Sequence, residues 1–345
     1  MLLICPSCAT PLPAISNESL DCSACEAVWP VIAGIPDLRT APDPYIEIAE
    51  DREKASMLAA RAADLAPAEL IDLYFSVTPE VPPDLARGYR RGMLQIGPAR
   101  AEDRVSRLEG ESSLWARAPR VLDLGCGAGA WLPALAARSG EVVGVDVALR
   151  WLIVAQCVAR HYGIEPQLVC ANAETIPLAN CSVDVVVASN VLEHAREPQT
   201  ALDEMFRVLD KDGVAYVATP NRYSLLPEPH VGLPGLGLLP RSAADELVRR
   251  TRGVPYGGIT LRGAMEWVDL VTAAGFRRVE VRPPGVGPQE RAVLSPPRRA
   301  AARLLGLIRR APGGETALKL AGPMLEVQAF KGPNRERVGV GRSRI

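Results

Sequence analysis

Three groups of residues in this chain have the types and spacing to do chemistry. The first is Asp123-x-Gly125-x-Gly127-x-Gly129, followed further on by Asp146. Glycines let a backbone turn sharply and approach a ligand closely, and a helix start behind them offers free N–H groups. An acid about 20 residues on, at the tip of a second strand, can accept hydrogen bonds from a ribose diol. The order differs from the G-x-G-x-x-G of dehydrogenases, because here an acid precedes the glycines. A carboxylate at Asp123 repels a pyrophosphate and suits a cationic or amine-bearing ligand. The second group is Cys5-Pro-Ser-Cys8 and Cys22-Ser-Ala-Cys25, two CxxC pairs about 13 residues apart. Four thiolates so spaced suit tetrahedral Zn2+ with every position filled, and in so short a segment the metal supplies the folding free energy. The third group is Glu193, His194 and the more distant His230. Three roles fit it: capping and packing, general-base work toward an acceptor hydroxyl, or weak metal ligation.

Regular elements must hold these groups in place. Short apolar runs at 121–124, 142–145, 168–170, 183–188 and 214–218 read as strands. The run at 183–188 is rich in β-branched residues, as in a strand buried on both faces. Helical periodicity fills the gaps at 130–138, 149–162 and 199–209, which gives an alternating α/β order and a parallel sheet. A helix at 261–274 and strands at 278–281 and 324–330 close the pattern. Helical stretches at 46–65 and 85–108, separated by Pro79, Pro82 and Pro83, precede it. Ligands bind outside the carboxyl ends of such strands, so Ser189-Asn190-Val191-Leu192-Glu193-His194 should face a reaction centre.

The stretch Val121 to Asp146 resembles motif I of the class I S-adenosylmethionine-dependent methyltransferases. The likeness continues through Ile176-Pro177-Leu178, Asn190 to His194, RVLDKDGVAYVATPN and Gly275-Phe276, and so covers residues from about 85 to 331. It implies a seven-stranded, mostly parallel Rossmann-like sheet with helices on both faces, S-adenosylmethionine as cofactor, and methyl transfer. By that resemblance Asp123, Gly125, Cys126, Gly127 and Gly129 hold the methionine end. Asp146 with Val147 holds the ribose, Asn172 and Ala173 the adenine, and Asn190 the strand-four edge. Asn172 stands where the family commonly has Asp; its carbonyl still accepts from an amine. Ubiquinone-pathway O-methyltransferases and small-RNA 2′-hydroxyl methyltransferases carry E-x-x-E-H plus a later His that orient a divalent metal. Here Asn190 replaces the first Glu, so one charged ligand is missing. The N-terminal block, ending Trp29 to Leu38 as WPVIAGIPDL, resembles small zinc-ribbon activator subunits of methyltransferases.

The chain length of 345 residues leaves room for a large domain and a small one. The expected division is a separate zinc ribbon at 1–40, a linker and helix at 41–84, the methyltransferase domain at 85–331, and a disordered tail at 332–345. Within the large domain, 221–258 is an apolar insertion rich in Gly and Pro, a lid or acceptor-binding loop. A net charge of −1 gives no overall case for nucleic acid. No apolar run spans a bilayer, and MLLICPSCAT lacks a basic n-region, so no leader is expected. Eight cysteines then fit a reducing, cytoplasmic setting. The basic helix at 296–310 has an apolar face, either a solvated cover or a contact with an anionic membrane. The expected reaction is methylation of a hydroxyl on a small apolar, lipid-linked or glycan acceptor. The alternatives are RNA or protein methylation guided by the ribbon, and a non-catalytic scaffold that keeps the cofactor fold.

Overall fold

The computed structural model describes residues 1–15 and 18–332; the tail expected to be disordered lies outside the described residues beyond Gly332. At the N-terminus, β1 (Ser19–Asp21), β2 (Val28–Ile32) and β3 (Ile35–Pro36) form a three-stranded antiparallel sheet. The main sheet is built from β4 (Arg120–Leu124), β5 (Glu141–Asp146), β6 (Gln167–Cys170), β7 (Val183–Ser189), β8 (Leu209–Pro220), β9 (Arg278–Arg282) and β10 (Met324–Phe330). Its order is β6-β5-β4-β7-β8-β10-β9. The five strands β6 to β8 run parallel, and β10 pairs antiparallel with both β8 and β9. This is the expected seven-stranded, mostly parallel architecture.

Alternation along the central strands sorts the core into two layers. Leu122, Leu124, Val143, Val145 and Val186 face one way, against Leu202, Met205 and Trp267. Val121, Val142, Val185 and Val187 face the other way, against the helices Ile48–Ala62, Pro67–Ser76, Gly97–Glu111 and Leu149–Tyr162. The segment expected as a linker and helix is therefore core: Ala55, Leu58, Leu70 and Ile71 are fully buried. The helix Pro67–Ser76 was not among the helices expected; it starts on Pro67, and proline is favoured in a first helical turn. The stretch expected at 85–108 is helical from Pro83 to Glu111, with a single π-helical turn at Gly92–Ile96. The helix expected at 130–138 shortens to Leu132–Ala136.

The N-terminal block is not the separate module expected. Leu3, Cys5, Leu12, Leu20 and Leu38 belong to the same apolar cluster as β4 and β5. Asp37 bridges in parallel to Cys170, so the block extends the sheet beyond the β6 edge. Leu38 N–H donates to the Cys170 carbonyl at 2.7 Å and Ile4 N–H to the Pro177 carbonyl at 3.0 Å. The reason is physical: a three-stranded ribbon has too little apolar surface for a core of its own, and an exposed strand edge offers unpaired groups.

Candidate active site

The chain reverses direction of travel across the sheet between β4 and β7, so a crevice opens outside their carboxyl ends. The loop after β4 turns there through Gly125, Gly127 and Gly129, with φ of +70°, +51° and +80°. The amides of Gly125 and Cys126 donate to the Val145 carbonyl at 2.7 and 3.1 Å, which folds the loop onto β5. A Cβ on Gly125 would fall 2.2 Å from Val191 Cγ2, and one on Gly129 3.1 Å from the backbone of Ala155. At Gly127 a Cβ would meet nothing within 4 Å, so that position faces open space. Cys126 turns its thiol into the core beside Gly144, leaving only its backbone for a ligand.

Asp146 ends β5 at the lip of the crevice. Its Oδ2 accepts from Gly127 N–H and its Oδ1 from Ala148 N–H, both at 2.8 Å. Burial pushes its pKa up to about 6. Asp123 is 1% exposed, and its Oδ2 has no hydrogen-bond partner among the described residues. Burial, reinforced by the nearby Asp146, pushes Asp123 up to about 8. Asn190, with φ of +58°, also carries a buried unpartnered Oδ1. Unpaired buried acceptors are costly. Two of them at the ends of neighbouring strands fit a ligand that brings donors, as the ammonium of S-adenosylmethionine would.

The adenine side departs from expectation. The Asn172 carbonyl is already engaged, accepting from Thr40 N–H at 2.9 Å and Ala41 N–H at 3.2 Å, while its amide donates to the Ala41 carbonyl at 3.1 Å. The Val147 carbonyl accepts from Arg39 Nη1 at 3.0 Å. Ala173 packs half-buried against the core. The segment leaving the ribbon thus forms a strap over the ends of β5 and β6. A buried ionic chain fixes it: Arg39 bonds Asp37 and Asp51 at 2.7 and 2.6 Å, and Arg150 bonds Asp51 and Asp43 at 2.6 and 2.9 Å.

Glu193, His194 and His230 do converge. His194 Nε2 lies 3.1 Å from His230 Nε2, and His230 Nε2 lies 3.8 Å from Glu193 Oε1. Each is held from behind. Thr219 Oγ1 donates to Glu193 Oε2 at 3.2 Å, Tyr45 bonds His194 Nδ1 at 2.9 Å, and Glu228 bonds His230 Nδ1. Glu193 Oε1 has no hydrogen-bond partner among the described residues. Burial raises Glu193 to about 7 and, with His230 alongside, lowers His194 to about 3. Burial disfavours charge on His230, but the Glu228 carboxylate outweighs it and holds His230 above the usual range. Glu228 and Tyr45 were not read as site residues. Glu228 stands two residues before His230 and was legible there; Tyr45 comes from a proline-punctuated linker, and nothing local marks it.

The four N-terminal cysteines also gather. Cys5 Sγ to Cys25 Sγ is 3.7 Å, Cys8 Sγ to Cys22 Sγ is 3.4 Å, and all four sulfurs lie within 4.8 Å of one another. Four bonds of about 2.3 Å to a tetrahedral Zn2+ require sulfur–sulfur edges of about 3.8 Å, so the set fits.

Comparison with known proteins agrees with this geometry. A family described as a methyltransferase domain matches residues 122–217. The biotin biosynthesis bifunctional protein BioHC of Cellvibrio japonicus is 38% identical over 101 residues, 29% of this chain and 19% of that protein. A ubiquinone biosynthesis O-methyltransferase of Ruegeria sp. is 33% identical over 133 residues, 37% of this chain and 54% of that protein. The chain thus matches about a fifth to about half of the length of these relatives. Among solved structures, an S-adenosylmethionine-dependent methyltransferase of Thermotoga maritima is 19% identical, covering 70% of this chain and 94% of that one, with a TM-score of 0.44. Residues 122–217, the segment that carries the glycine loop, Asp146 and the end of β7, are thus similar to a methyltransferase domain.

Proposed function

We propose that this chain transfers a methyl group from S-adenosylmethionine to a hydroxyl oxygen of a small apolar or lipid-linked acceptor. The observation that carries this reading is the juxtaposition of two features. One is the pair of buried acceptors at Asp123 and Asn190 that have no partner among the described residues; the other is a hydrogen-bond chain joining Tyr45, His194, His230 and Glu228. When bound, the cofactor supplies a methyl already activated on a sulfonium, so the chain's own task is positioning and deprotonation. Asp123 would hold the ammonium, the Gly127 region the carboxylate end, and Asp146 the ribose diol. Glu228 accepts from His230 Nδ1–H, which leaves His230 Nε2 as the acceptor of a proton. His194, kept neutral, donates Nε2–H toward that nitrogen and accepts from Tyr45 through Nδ1. An acceptor hydroxyl displacing His194 from His230 Nε2 would pass its proton there.

A second reading has its own support. Glu193 Oε1, His194 Nε2 and His230 Nε2 lie within 4.8 Å of one another. Two bonds of about 2.1 Å at right angles give an edge of about 3.0 Å, close to the 3.1 Å between the histidines. Outer groups that orient each ligand are typical of metal sites. In this reading the three residues hold a divalent cation that orients the acceptor oxygen.

The exposed Leu304 and Leu307, beside Arg303 and Arg310 on the helix Pro296–Arg310, support peripheral contact with an anionic membrane. Among the described residues no helix is long and apolar enough to cross one. The test is mass spectrometry of metabolite and lipid extracts incubated with the chain and S-adenosylmethionine carrying a heavy methyl. The expected product gains that methyl on oxygen. A gain only on RNA or protein would refute the acceptor class, and a gain that needs added Mn2+ or Mg2+ and vanishes with chelator would select the second reading.

A further inference from the structure

We propose that the cavity behind the helix Arg241–Arg252 is the acceptor's pocket, and that it takes an amphiphile bearing one carboxylate or phosphate on an apolar body. The proposal rests on the methyl-transfer reading for calling its guest an acceptor. The cavity measures about 190 Å³ and is walled by Leu236, Leu239 and Ile259 on its apolar side and by Arg222, Arg241 and Tyr256 on its polar side. An apolar cleft with a few converging polar groups is the usual form of a small-molecule site.

Tyr256 carries the argument for a guest. It is 4% exposed, yet its hydroxyl has no hydrogen-bond partner among the described residues. A buried hydroxyl left unpaired is costly, and a bound oxygen would satisfy it. The same tyrosine reaches toward the reaction centre. Its ionisation is opposed first by burial and then by Glu228, Glu193 and Tyr45, so it feels the charge of the groups around His230. Two residues on, a Cβ at Gly258 would touch the Tyr45 ring at 3.2 Å, and Thr260 N–H donates to the Glu193 carbonyl at 2.8 Å. The lining segment Ile259 to Leu261 is therefore tied to the segment that carries Glu193 and His194.

The polar side is positive. Arg222 and Arg241 line it, and the only carboxylate that Arg222 meets among the described residues is Glu266, at 3.4 Å. Arg241 donates to the Gly257 carbonyl and has no carboxylate partner among the described residues. Burial disfavours charge on the neighbouring Arg262, which Glu266 offsets and Arg241 aggravates. Asp245 is not available to them, because it pairs with Arg249 and accepts from Tyr256 N–H at 2.7 Å. The helix whose first turn lines the cavity starts behind Pro240, which has no side-chain group to cap it. Its leading N–H groups add to the positive side. Guanidinium groups at the mouth of an apolar cleft recognise carboxylate or phosphate.

Calorimetry with octanoate, octyl phosphate and octanol tests this, at fixed ionic strength and with S-adenosylhomocysteine present. The two anions should bind at least tenfold tighter than octanol, and the tighter of the two identifies the acidic group. The double variant Arg222→Gln/Arg241→Gln should erase that preference while leaving octanol within twofold. Tyr256→Phe should weaken all three by at least threefold. Equal binding of the three probes, no binding of any, or a preference that survives the double variant would overturn the proposal. Affinity for S-adenosylhomocysteine serves as the folding control, and the single variants replace the double one if it is lost. If the wild type itself fails to bind S-adenosylhomocysteine, the methyl-transfer reading falls, whereas the anion preference is still read from the probes alone.

Discussion

Asp123 is the residue on which cofactor binding should depend most. Its pKa, pushed up to about 8, leaves it neutral at pH 6 to 7 in the free chain. An ammonium needs the ionised form, so binding below about pH 8 must release a proton. Affinity for S-adenosylmethionine should therefore rise up to tenfold per pH unit between pH 6 and 8, then level off. The stability sign runs the opposite way. A folded-state pKa raised above the unfolded value of about 3.9 means that free-chain stability falls as pH climbs from about 4 to 8. The thermal upshift produced by the cofactor should grow over the same interval, which a pair of melting series would measure. Asp123→Asn should flatten the affinity profile and weaken binding about ten- to a hundredfold, the scale of one hydrogen bond to a charged group. At the acceptor side, His230→Ala should lower kcat about 10²- to 10⁴-fold. Glu228→Gln should lower kcat with KM for the cofactor unchanged, because it orients His230 and touches no cofactor group.

At the scale of elements, the ribbon and the strap make a claim that stability data can refute. Leu38 is fully buried where β3 leads into the β6 edge, and Leu20 is fully buried in the same cluster. Leu38→Ala should cost about 2–5 kcal/mol, and the whole chain should melt earlier in a single step. Two separated transitions would show that the ribbon folds on its own. The pattern of what was legible follows from burial. Strands β4, β5 and β7 announced themselves because a strand covered on both faces must be apolar along its buried stretch, and Val185 to Ala188 is. The glycine loop and Asp146 were legible because their spacing encodes a local turn. The Asp210-Lys211-Asp212-Gly213 segment has the composition of a turn but lies within β8, absorbed by an irregularity opposite Val183 and Val185. Asn172 misled for a different reason. Its partners Thr40 and Ala41 are more than 130 positions away in sequence, and no local pattern reports such a contact. Tyr45 reaches His194 across a similar span.

On the scale of the whole molecule, these pieces lie in sequence along one rim. The strap covers the ends of β5 and β6, the glycine loop and Asp146 bound the crevice, and Tyr45 leads from the strap to the histidine pair. The cavity behind the helix Arg241–Arg252 is linked to that region through the Thr260–Glu193 backbone hydrogen bond. A formal net charge of −1 hides local contrast: carboxylates gather at the crevice and guanidinium groups at the cavity. That contrast suits a cationic cofactor on one side of the histidines and an anionic acceptor on the other. The central claim is that the crevice between β4 and β7 binds S-adenosylmethionine. It is tested most directly by calorimetric titration of the full chain with S-adenosylmethionine, beside the Asp146→Ala variant. The account predicts one molecule bound per chain and a loss of at least tenfold in the variant. No heat of binding up to millimolar cofactor, or equal binding by the variant, would contradict it.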